Sequence, residues 1–423
     1  MGNILIVGAG PAGMMAAAKA AENGAEVLLL EKMERVGKKM MITGKGRCNM
    51  TNAASIPDII KNIPGNGVFL NSAIRFFDNE DVIAFFENAD VPTVTERGGR
   101  VFPASSRASD AVDAMLHRLH EFGVEVRVRA GVRDLIVEDG RALGVRLSSG
   151  EQILADAVIV ATGGASYPRT GSTGDGFRMA EAAGHRIEPP TPALVPLETE
   201  EDWPKELSGL SLKNVRVRLF SEGEPREKLG EDFGEMMFTH FGVTGPIILT
   251  LSRMAAMYLR IHDFLSAEID LKPALDEDTL EKRVQRDFEK YKNKQTKNAM
   301  IDLLPVRLIE PVLDLAYIDE GKPVHQVTRA ERLRIVEMLK HLPLTIPRTR
   351  PIDEAIVTAG GVSVREINPK TMESKIVRGL YFAGEVADVD GFTGGYNLQA
   401  AFSMGAAAGT WAAKAVEQVE CES

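Results

Sequence analysis

A glycine-rich turn between a short apolar strand and an alanine-rich helix is the feature that most constrains the fold of this chain. The apolar run from Ile4 to Val7 predicts a buried strand, and the small residues of 14–22 predict a helix. The turn between them holds three glycines with dinucleotide-binding spacing: Gly8, Gly10 and Gly13. A strand, a glycine turn and a helix in this order predict the start of a doubly wound, parallel sheet.

The turn has the chemistry to hold a pyrophosphate. Gly8 permits a tight turn, Gly10 lets the backbone approach the phosphates, and Gly13 lets the helix pack closely on the strand. Pro11 and Ala12 begin the helix, whose free amides and partial positive charge face the ligand. The turn alone serves NAD and FAD equally well, so the choice between them depends on other segments.

A second strand, 25–30, follows the helix and ends at Glu31, about 20 residues after the glycines. A carboxylate at that position accepts hydrogen bonds from ribose hydroxyls. The basic, glycine-punctuated segment 32–52 suits a loop around phosphates and sugar hydroxyls, because Lys, Arg and backbone amides supply donors. Its predicted cofactor contacts are Lys32, Lys38, Thr43, Gly44, Arg47, Cys48 and Asn49.

Later segments end in small residues that let the chain pass beside a flat ligand. A predicted hairpin, 133–137 and 144–147, leads into a strand at 157–164. A further strand, 379–385, ends in Gly-Glu, and the segment 394–401 opens a small-residue helix. The predicted cofactor contacts in or next to these segments are Val132, Ala161, Thr162, Gly163, Gly384, Glu385, Gly395, Asn397 and Leu398.

This order of segments resembles the two-dinucleotide-binding-domain flavoproteins, in which N-terminal glycines hold the FAD pyrophosphate and a late Gly-Asp or Gly-Glu binds the ribityl hydroxyls. The strings 43–52 (TGKGRCNMTN), 239–246 (THFGVTGP) and 391–401 (GFTGGYNLQAA) narrow the resemblance. They are similar to the YhiN/BaiN-like family of bacterial flavoproteins, also called aminoacetone oxidase-like. The resemblance covers essentially the whole chain and implies non-covalent FAD.

Segments 161–164, 173–176 and 358–361 also resemble fumarate reductase and ketosteroid dehydrogenase flavoproteins, which implies a shared FAD scaffold but not a shared reaction. The catalytic His and Arg of those enzymes have no assignable equivalents here. Only one glycine fingerprint is present, so no separate nicotinamide domain is expected. If NAD(P)H is a co-substrate, it enters the substrate cavity itself.

Proline-rich stretches at 189–192 and 343–351 divide the chain. We predict an α/β protein whose Rossmann-type FAD-binding domain is assembled from 1–190 and 350–423. Alternating patterns predict an inserted β-domain at 191–272, and charged helical patterns predict a small helical subdomain at 273–349.

Composition limits the partners. A net charge of −10 argues against a nucleic-acid surface, because phosphate neutralisation needs clustered Lys and Arg. Two cysteines exclude a disulfide framework and a thiolate zinc site, and no metal is predicted. No apolar stretch approaches the ~20 residues that span a bilayer. We expect a soluble, cytoplasmic protein that acts on a small molecule, with an oligomeric state that the sequence does not indicate.

An FAD-dependent oxidoreductase needs the protein only to bind substrate, tune the flavin and manage a proton. His240 and Tyr396 are the candidate catalytic residues. His240 has an alternative interpretation as a turn residue, and Cys48 as a packing residue. The family includes members linked to aminoacetone oxidation and to enone reduction in bile-acid intermediates, so reductase, dehydrogenase and amine oxidase stay open. The rival functions are a flavin module acting on or sensing a macromolecule such as tRNA, and a protein that binds NAD alone.

Overall fold

The computed structural model describes residues 2–422, and side chains as far as residue 418. The chain forms two compact units. The first combines the residues up to Thr191 with those from Ile352 onward, and the second is Pro192–Pro351.

The described residues form strands in both units, with the two longest in the second. In chain order they are β1 (Asn3–Val7), β2 (Glu26–Leu30), β3 (Thr51–Asn52), β4 (Thr93–Thr95), β5 (Arg100–Pro103), β6 (Glu125–Arg127), β7 (Val132–Glu138), β8 (Arg141–Leu147), β9 (Gln152–Leu154), β10 (Ala157–Val160), β11 (Ile187–Ala193), β12 (Leu197–Glu198), β13 (Ser211–Phe220), β14 (Lys228–Thr239), β15 (Gly242–Thr244), β16 (Leu265–Asp270), β17 (Leu342–Ile346), β18 (Arg348–Thr349), β19 (Val357–Val362) and β20 (Leu380–Phe382).

The helices are, in the same order, α1 (Pro11–Glu22), α2 (Lys38–Ile42), α3 (Ile56–Lys61), α4 (Asn71–Phe76), α5 (Asn79–Glu87), α6 (Ala108–Glu121), α7 (Asp175–Ala182), α8 (Trp203–Glu206), α9 (Pro246–Tyr258), α10 (Glu277–Lys290), α11 (Thr296–Ala299), α12 (Val306–Leu315), α13 (Arg329–Lys340) and α14 (Tyr396–Glu422). No helix among the described residues is both long enough and apolar enough to cross a bilayer.

The first unit is built on a five-stranded parallel sheet in the order β20-β10-β1-β2-β6. β1 lies at its centre and is buried from Ile4 to Val7, as expected for a strand covered on both faces. Its last residue, Val7, pairs with Leu30 on one side and Val160 on the other. The carboxyl ends of these strands therefore lie side by side, where ligands bind in open parallel sheets.

Two helices from opposite ends of the chain pack directly against each other in this unit. A Cβ on Gly405 of α14 would lie 2.3 Å from the Ala12 carbonyl oxygen, and one on Gly409 would lie 2.1 Å from that of Ala16. Both residues of α1 are buried. The small faces of α1 and α14 thus allow close backbone contact and bring the start of α14 near the glycine turn.

The second unit contains a seven-stranded sheet in the order β17-β16-β13-β14-β15-β12-β18. Its helices share one buried apolar cluster with the sheet, which includes Val217 of β13, Leu280 of α10 and Ile335 of α13. α13 begins with a capping box in which Thr328 and Glu331 satisfy each other's backbone amides. The division of this region into a β-domain and a helical subdomain stays a prediction.

Candidate dinucleotide site

The glycine turn lies between β1 and α1, and neighbouring backbone atoms fill the space beside two of its three glycines. Gly8 has a φ of +103°, and a Cβ there would lie 2.6 Å from the Ala161 carbonyl oxygen. A Cβ on Gly13 would lie 1.9 Å from the Gly8 carbonyl oxygen. At Gly10, in contrast, a Cβ would meet nothing within 4 Å. Packing therefore requires Gly8 and Gly13, whereas the space in front of Gly10 is open to a ligand.

The start of α1 has the donor set that an anion needs. Gly10 is the N-cap, Pro11 follows it, and the helix has neither a side-chain cap nor an acidic residue in its first turn. By comparison, α5 in the same unit begins with a capping box made by Asp78 and Asp81. The N–H groups of the first turn of α1 are thus available to a pyrophosphate, which the helix dipole also stabilises.

Glu31 lies directly after β2 and next to the glycine turn. One carboxylate oxygen accepts a hydrogen bond from the Ala9 N–H at 2.9 Å, and the other accepts one from the Met33 N–H at 2.8 Å. Each oxygen keeps a further lone pair for a ribose hydroxyl. Glu31 consequently has a structural role that the sequence did not indicate, because it fixes the backbone of the glycine turn as well.

Three other predicted contacts are engaged within the protein. The Lys32 ammonium lies 2.7 Å from the Asp175 carboxylate, and the Lys38 ammonium lies 3.0 Å from that of Glu34. Val132 is buried at the start of β7. Both lysines therefore have ion-pair partners, and their contacts with a cofactor stay predictions.

The loop after α2 is held by local backbone geometry. The Thr43 hydroxyl donates to the Met40 carbonyl oxygen at 2.7 Å, and Gly44 has a φ of +57°. Cys48 is fully buried in the same loop, and burial raises the pKa of its thiol to about 12. A thiol that keeps its proton at neutral pH is a poor redox partner, so Cys48 has the character of a packing residue.

This loop is joined to the segment before α14, more than 340 residues away. The Asn52 side-chain amide donates to the Gly394 carbonyl oxygen at 2.9 Å. Asn49, with its amide oriented to satisfy its neighbours, accepts from the Gly395 N–H at 2.9 Å. A Cβ on Gly395 would lie 2.3 Å from the Thr51 carbonyl oxygen. Two of the strings that carry the family resemblance, 43–52 and 391–401, are therefore parts of one structure.

The segment after β10 passes beneath the glycine turn. Ala161 is buried against Gly8, and Gly163 has a φ of +72°. The Thr162 hydroxyl is buried without a hydrogen-bond partner among the described residues. It lies where a Cβ on Gly176 would clash, at 2.1 Å. The Thr162 hydroxyl thus lies near α7, and the contact of this residue with the cofactor stays a prediction.

Gly384 brings the C-terminal part of the site against the N-terminal part. Its φ is +78°, and a Cβ there would lie 2.8 Å from the Cβ of Ala12 in the first turn of α1. Ala12 is itself buried. The Gly-Glu pair and the glycine turn are therefore direct neighbours, as the predicted order of segments requires.

The Glu385 carboxylate is the centre of a hydrogen-bonded cluster that the sequence did not predict. Oε1 accepts from the Thr358 N–H at 2.8 Å and the Ser166 hydroxyl at 3.0 Å, and Oε2 accepts from the Lys39 ammonium at 2.6 Å. Lys39 also donates to the Ser166 hydroxyl at 2.6 Å. Glu385 and Lys39 each expose 19% of their side chains, so this ion pair is well shielded from solvent. We name Lys39, Ser166, Thr358 and Glu385 the Glu385 cluster.

Three of the predicted site residues, Tyr396, Asn397 and Leu398, begin α14. The Asn397 side chain accepts from the Gly391 N–H and donates to the Gly391 carbonyl oxygen, both at 2.8 Å. It therefore fixes the loop before α14, and a contact of Asn397 with the cofactor stays a prediction. Leu398 and Tyr396 are buried, and burial together with the negative charge of Asp58 raises the pKa of Tyr396.

The other predicted catalytic residue, His240, belongs to the second unit. It is exposed in the two-residue turn between β14 and β15, with its ring 4.9 Å from that of Phe241. This location is that of the turn residue given as its alternative interpretation. Its catalytic role stays a prediction.

The residues of the first unit together fit a dinucleotide. The uncapped start of α1 suits a pyrophosphate, Glu31 suits a ribose, and Gly384, next to the Glu385 cluster, contacts Ala12 at the start of α1. Among the described residues, no group of His, Cys, Asp and Glu has the arrangement of a metal site.

Comparisons with known proteins extend over the whole chain. A family model described as "HI0933-like protein Rossmann domain" matches residues 2–411. The chain is 31% identical over 417 residues to the 3-dehydro-bile acid delta(4,6)-reductase of Clostridium scindens, covering 98% of this chain and 100% of that protein. It is also 31% identical over 400 residues to the ribosomal RNA dihydrouridine synthase of Escherichia coli K12, covering 94% and 95%.

Similar solved structures bear on the fold alone. An open conformation of a flavocytochrome c3 fumarate reductase superposes with a TM-score of 0.53 at 19% identity, covering 98% of this chain and 78% of that one. A quinol fumarate reductase subunit from Escherichia coli superposes with a TM-score of 0.52 at 17% identity, covering 99% and 71%.

Proposed function

The chain belongs to the HI0933-like protein family, and from that membership we propose that it is an FAD-dependent oxidoreductase that reduces a carbon–carbon double bond conjugated to a carbonyl group. The family match confirms the YhiN/BaiN-like resemblance, and with it the predicted α/β fold containing a Rossmann-type FAD-binding domain. The substrate and the reductant belong to the proposal.

The observation that supports a dinucleotide site is the contrast among the three glycines of the turn, and the choice of FAD rests on the family. Gly8 and Gly13 are required by packing, whereas open space at Gly10 precedes an uncapped helix start. The amides of Ala12 and Gly13 would hold the pyrophosphate, and Glu31 would hold the adenosine ribose. The Glu385 cluster would hold the ribityl side. When bound, FAD supplies a hydride for the substrate after accepting one from NAD(P)H.

Two full-length relatives support reduction of a conjugated double bond. One is named for reduction of a 3-dehydro-bile acid at positions 4 and 6, and the other for synthesis of dihydrouridine. A 3-oxo-4-ene steroid and a uracil ring share one reacting unit, a carbon–carbon double bond next to a carbonyl. Hydride adds to the β carbon and a proton to the α carbon, so one NAD(P)H and one proton are consumed. Tyr396 is our candidate proton donor, because it begins α14 directly after Gly395, which packs against Thr51 of the 43–52 loop.

RNA is a second candidate for the substrate, because the relative named for ribosomal RNA is as similar to this chain as the bile-acid enzyme. The overall charge of the chain favours the small molecule, since a net charge of −10 disfavours binding to a polyanion. We propose the small-molecule substrate as the first candidate and uridine in RNA as the second.

Anaerobic half-reactions test the proposal. NADH or NADPH is mixed with the purified protein, and the flavin absorption band is followed until it bleaches. A 3-oxo-4-ene bile acid or a uridine-containing RNA is then added without oxygen. Return of the flavin band with formation of the saturated product supports the proposal and identifies the substrate class. Reoxidation by oxygen alone, or bleaching of the oxidised flavin by an amine such as aminoacetone, contradicts it.

A further inference from the structure

The turn of a β-hairpin lies against the loops that we assign to the cofactor. Residues 96–99 join β4 to β5 in the three-stranded sheet β3-β5-β4. The Asn52 side-chain amide donates to the Gly98 carbonyl oxygen at 3.1 Å and to the Gly394 carbonyl oxygen at 2.9 Å. The hairpin turn is therefore attached through one side chain to both the 43–52 loop and the segment before α14.

The hairpin and the 43–52 loop carry an excess of positive charge. Glu96 is the only acidic residue within 43–52 and 93–103. The same two segments contain four basic residues, so their formal charge is 4 − 1 = +3. We name these four residues the basic rim: Lys45, Arg47, Arg97 and Arg100. A local charge of this sign contrasts with the net charge of −10 of the whole chain.

Two of the guanidinium groups are held in place. Glu96 accepts from Arg47 at 2.8 Å and lies 3.4 Å from Arg100. The Arg47 guanidinium is 4.1 Å from the centre of the Phe102 ring, and that of Arg100 is 5.8 Å from it. Phe102 is buried, so it gives both arginines a fixed support. Guanidinium groups ordered in this way lose less entropy when they bind a planar or tetrahedral oxyanion.

The other two cations are available to a ligand. Lys45 and Arg97 are exposed, and neither has an ion-pair partner in the part of the chain that the structure describes. Lys45 has a φ of +60° within the glycine-flanked turn of the 43–52 loop. Isolated surface cations would be ordinary solvated charges. Here they belong to the same two segments as two ordered guanidinium groups, and these segments are joined through Glu96 and Arg47 although they are about 50 residues apart.

We propose that the basic rim binds an oxyanion carried by the substrate, while the double bond to be reduced occupies the cofactor site. The oxyanion is a carboxylate on a steroid acid or a phosphate of RNA. Both sources present the same chemistry to the guanidinium and ammonium groups. This inference rests on the proposed function and names the part of the substrate that the protein recognises away from the reacting carbons.

The test compares two double variants of the FAD-loaded protein. Lys45→Gln with Arg97→Gln removes the two available rim charges without touching Arg47 or Arg100. Lys370→Gln with Lys414→Gln removes two charges that flank Trp411 in the same unit and serves as the control. Calorimetry measures binding of three probes to the oxidised protein: a 3-oxo-4-ene bile acid, its uncharged methyl ester and a short uridine-containing RNA.

The rim variant is expected to bind one anionic probe about 5- to 20-fold more weakly than the wild type does, with a weaker salt dependence. Its binding of the ester should change less than twofold, and the control variant should match the wild type. Whichever anionic probe is affected identifies the source of the oxyanion. Equal losses for acid and ester, unchanged binding of both anions, or no binding of either anion by the wild type would overturn the inference. Failure of the proposed function would give a different result. In that case, adding the neutral ester to the reduced protein under anaerobic conditions would not restore the flavin absorption band.

Discussion

The N-terminal and C-terminal parts of the candidate site are constructed by different means. The glycine turn is shaped by backbone geometry, since a Cβ on Gly8 or Gly13 would collide with a carbonyl oxygen. The region around Glu385 is shaped by side chains, through hydrogen bonds to Thr358, Ser166 and Lys39. The contact between Gly13 and the Gly8 carbonyl oxygen joins residues five positions apart, whereas the Glu385 cluster joins residues as far as 346 positions apart.

This difference has a consequence for substitutions. A methyl group added to the glycine turn should destabilise the fold where it meets protein atoms. It should weaken FAD binding where it enters the open space at Gly10. Substitution of a residue in the Glu385 cluster should leave the fold in place and weaken FAD binding, because each member of the cluster contributes a hydrogen bond at the edge of the cofactor site. The predictions that follow use this contrast, beginning with the largest expected effect.

Gly13→Ala should be the most damaging single change, because its Cβ would lie 1.9 Å from a backbone oxygen that cannot move without displacing β1 or α1. We expect a loss of about 3 kcal/mol or more in the free energy of unfolding, and little FAD binding. Urea denaturation of the apoprotein measures the first quantity. Wild-type stability in this variant would show that the turn is not sterically closed on that side.

Gly10→Ala is the matched change on the open side of the same turn. Its Cβ meets no protein atom within 4 Å, so the free energy of unfolding of the apoprotein should change by less than about 1 kcal/mol. FAD affinity should nevertheless fall about 10-fold or more, because the methyl group enters the space for the pyrophosphate. Titration of the apoprotein with FAD measures this. Unchanged affinity would remove the pyrophosphate from this position.

Lys39→Met should weaken FAD binding by about 10-fold, because Glu385 and Ser166 lose a shielded ammonium donor. Lys19→Met is the control from the same unit, where the lost pair with Glu22 is exposed at its carboxylate. A double-mutant cycle with Glu385→Gln should show that the Lys39 and Glu385 effects are not additive. Equal effects of the two lysine variants would contradict a special role for Lys39.

Glu31→Ala should weaken FAD binding by about 5- to 10-fold through loss of a ribose acceptor and of the bond to the Ala9 N–H. Glu34→Ala, three residues later, is the control. The FAD dissociation constants report the loss of the ribose contact and the melting temperatures of the apoproteins report the loss of the bond to the Ala9 N–H, so measuring both separates the two contributions. A variant that keeps wild-type FAD affinity would leave Glu31 with its structural role only.

Cys48 should give the smallest effect. Its thiol is buried and its pKa is raised to about 12, so the reactive thiolate is suppressed up to a pH well above neutral and increases only as the pH approaches that value. Native-state alkylation at pH 8, followed by peptide mass spectrometry, should leave Cys48 unmodified, whereas denatured protein should react fully. Rapid native labelling of Cys48 would contradict the buried position.

The same contrast explains how much could be predicted from the sequence. The turn was predictable because Gly8, Gly10 and Gly13 impose their geometry on a strand and a helix within a few residues. Lys39 was missed although it lies beside the predicted Lys38. Both are lysines at the start of α2, and only the position of that helix relative to Glu385 decides which of them enters the site.

Two small polar residues show a related limit. Thr162 precedes Gly163 and Asn397 follows Gly395 by two residues, and the cofactor contact predicted for each stays a prediction. In the structure Asn397 bonds to the nearby Gly391, and the Thr162 hydroxyl faces Gly176. Composition indicates that a segment approaches a ligand, but the direction of each short side chain depends on packing with distant segments.

The nucleotide released from the purified protein tests the central claim most directly. The wild-type protein is denatured, and the released cofactor is identified and quantified by chromatography and mass spectrometry. The structure predicts FAD in about equimolar amount with the chain, and much less from Gly10→Ala and Lys39→Met prepared in the same way. A protein that releases NAD, or no dinucleotide and cannot be reconstituted with FAD, would contradict an FAD site assembled from both ends of the chain.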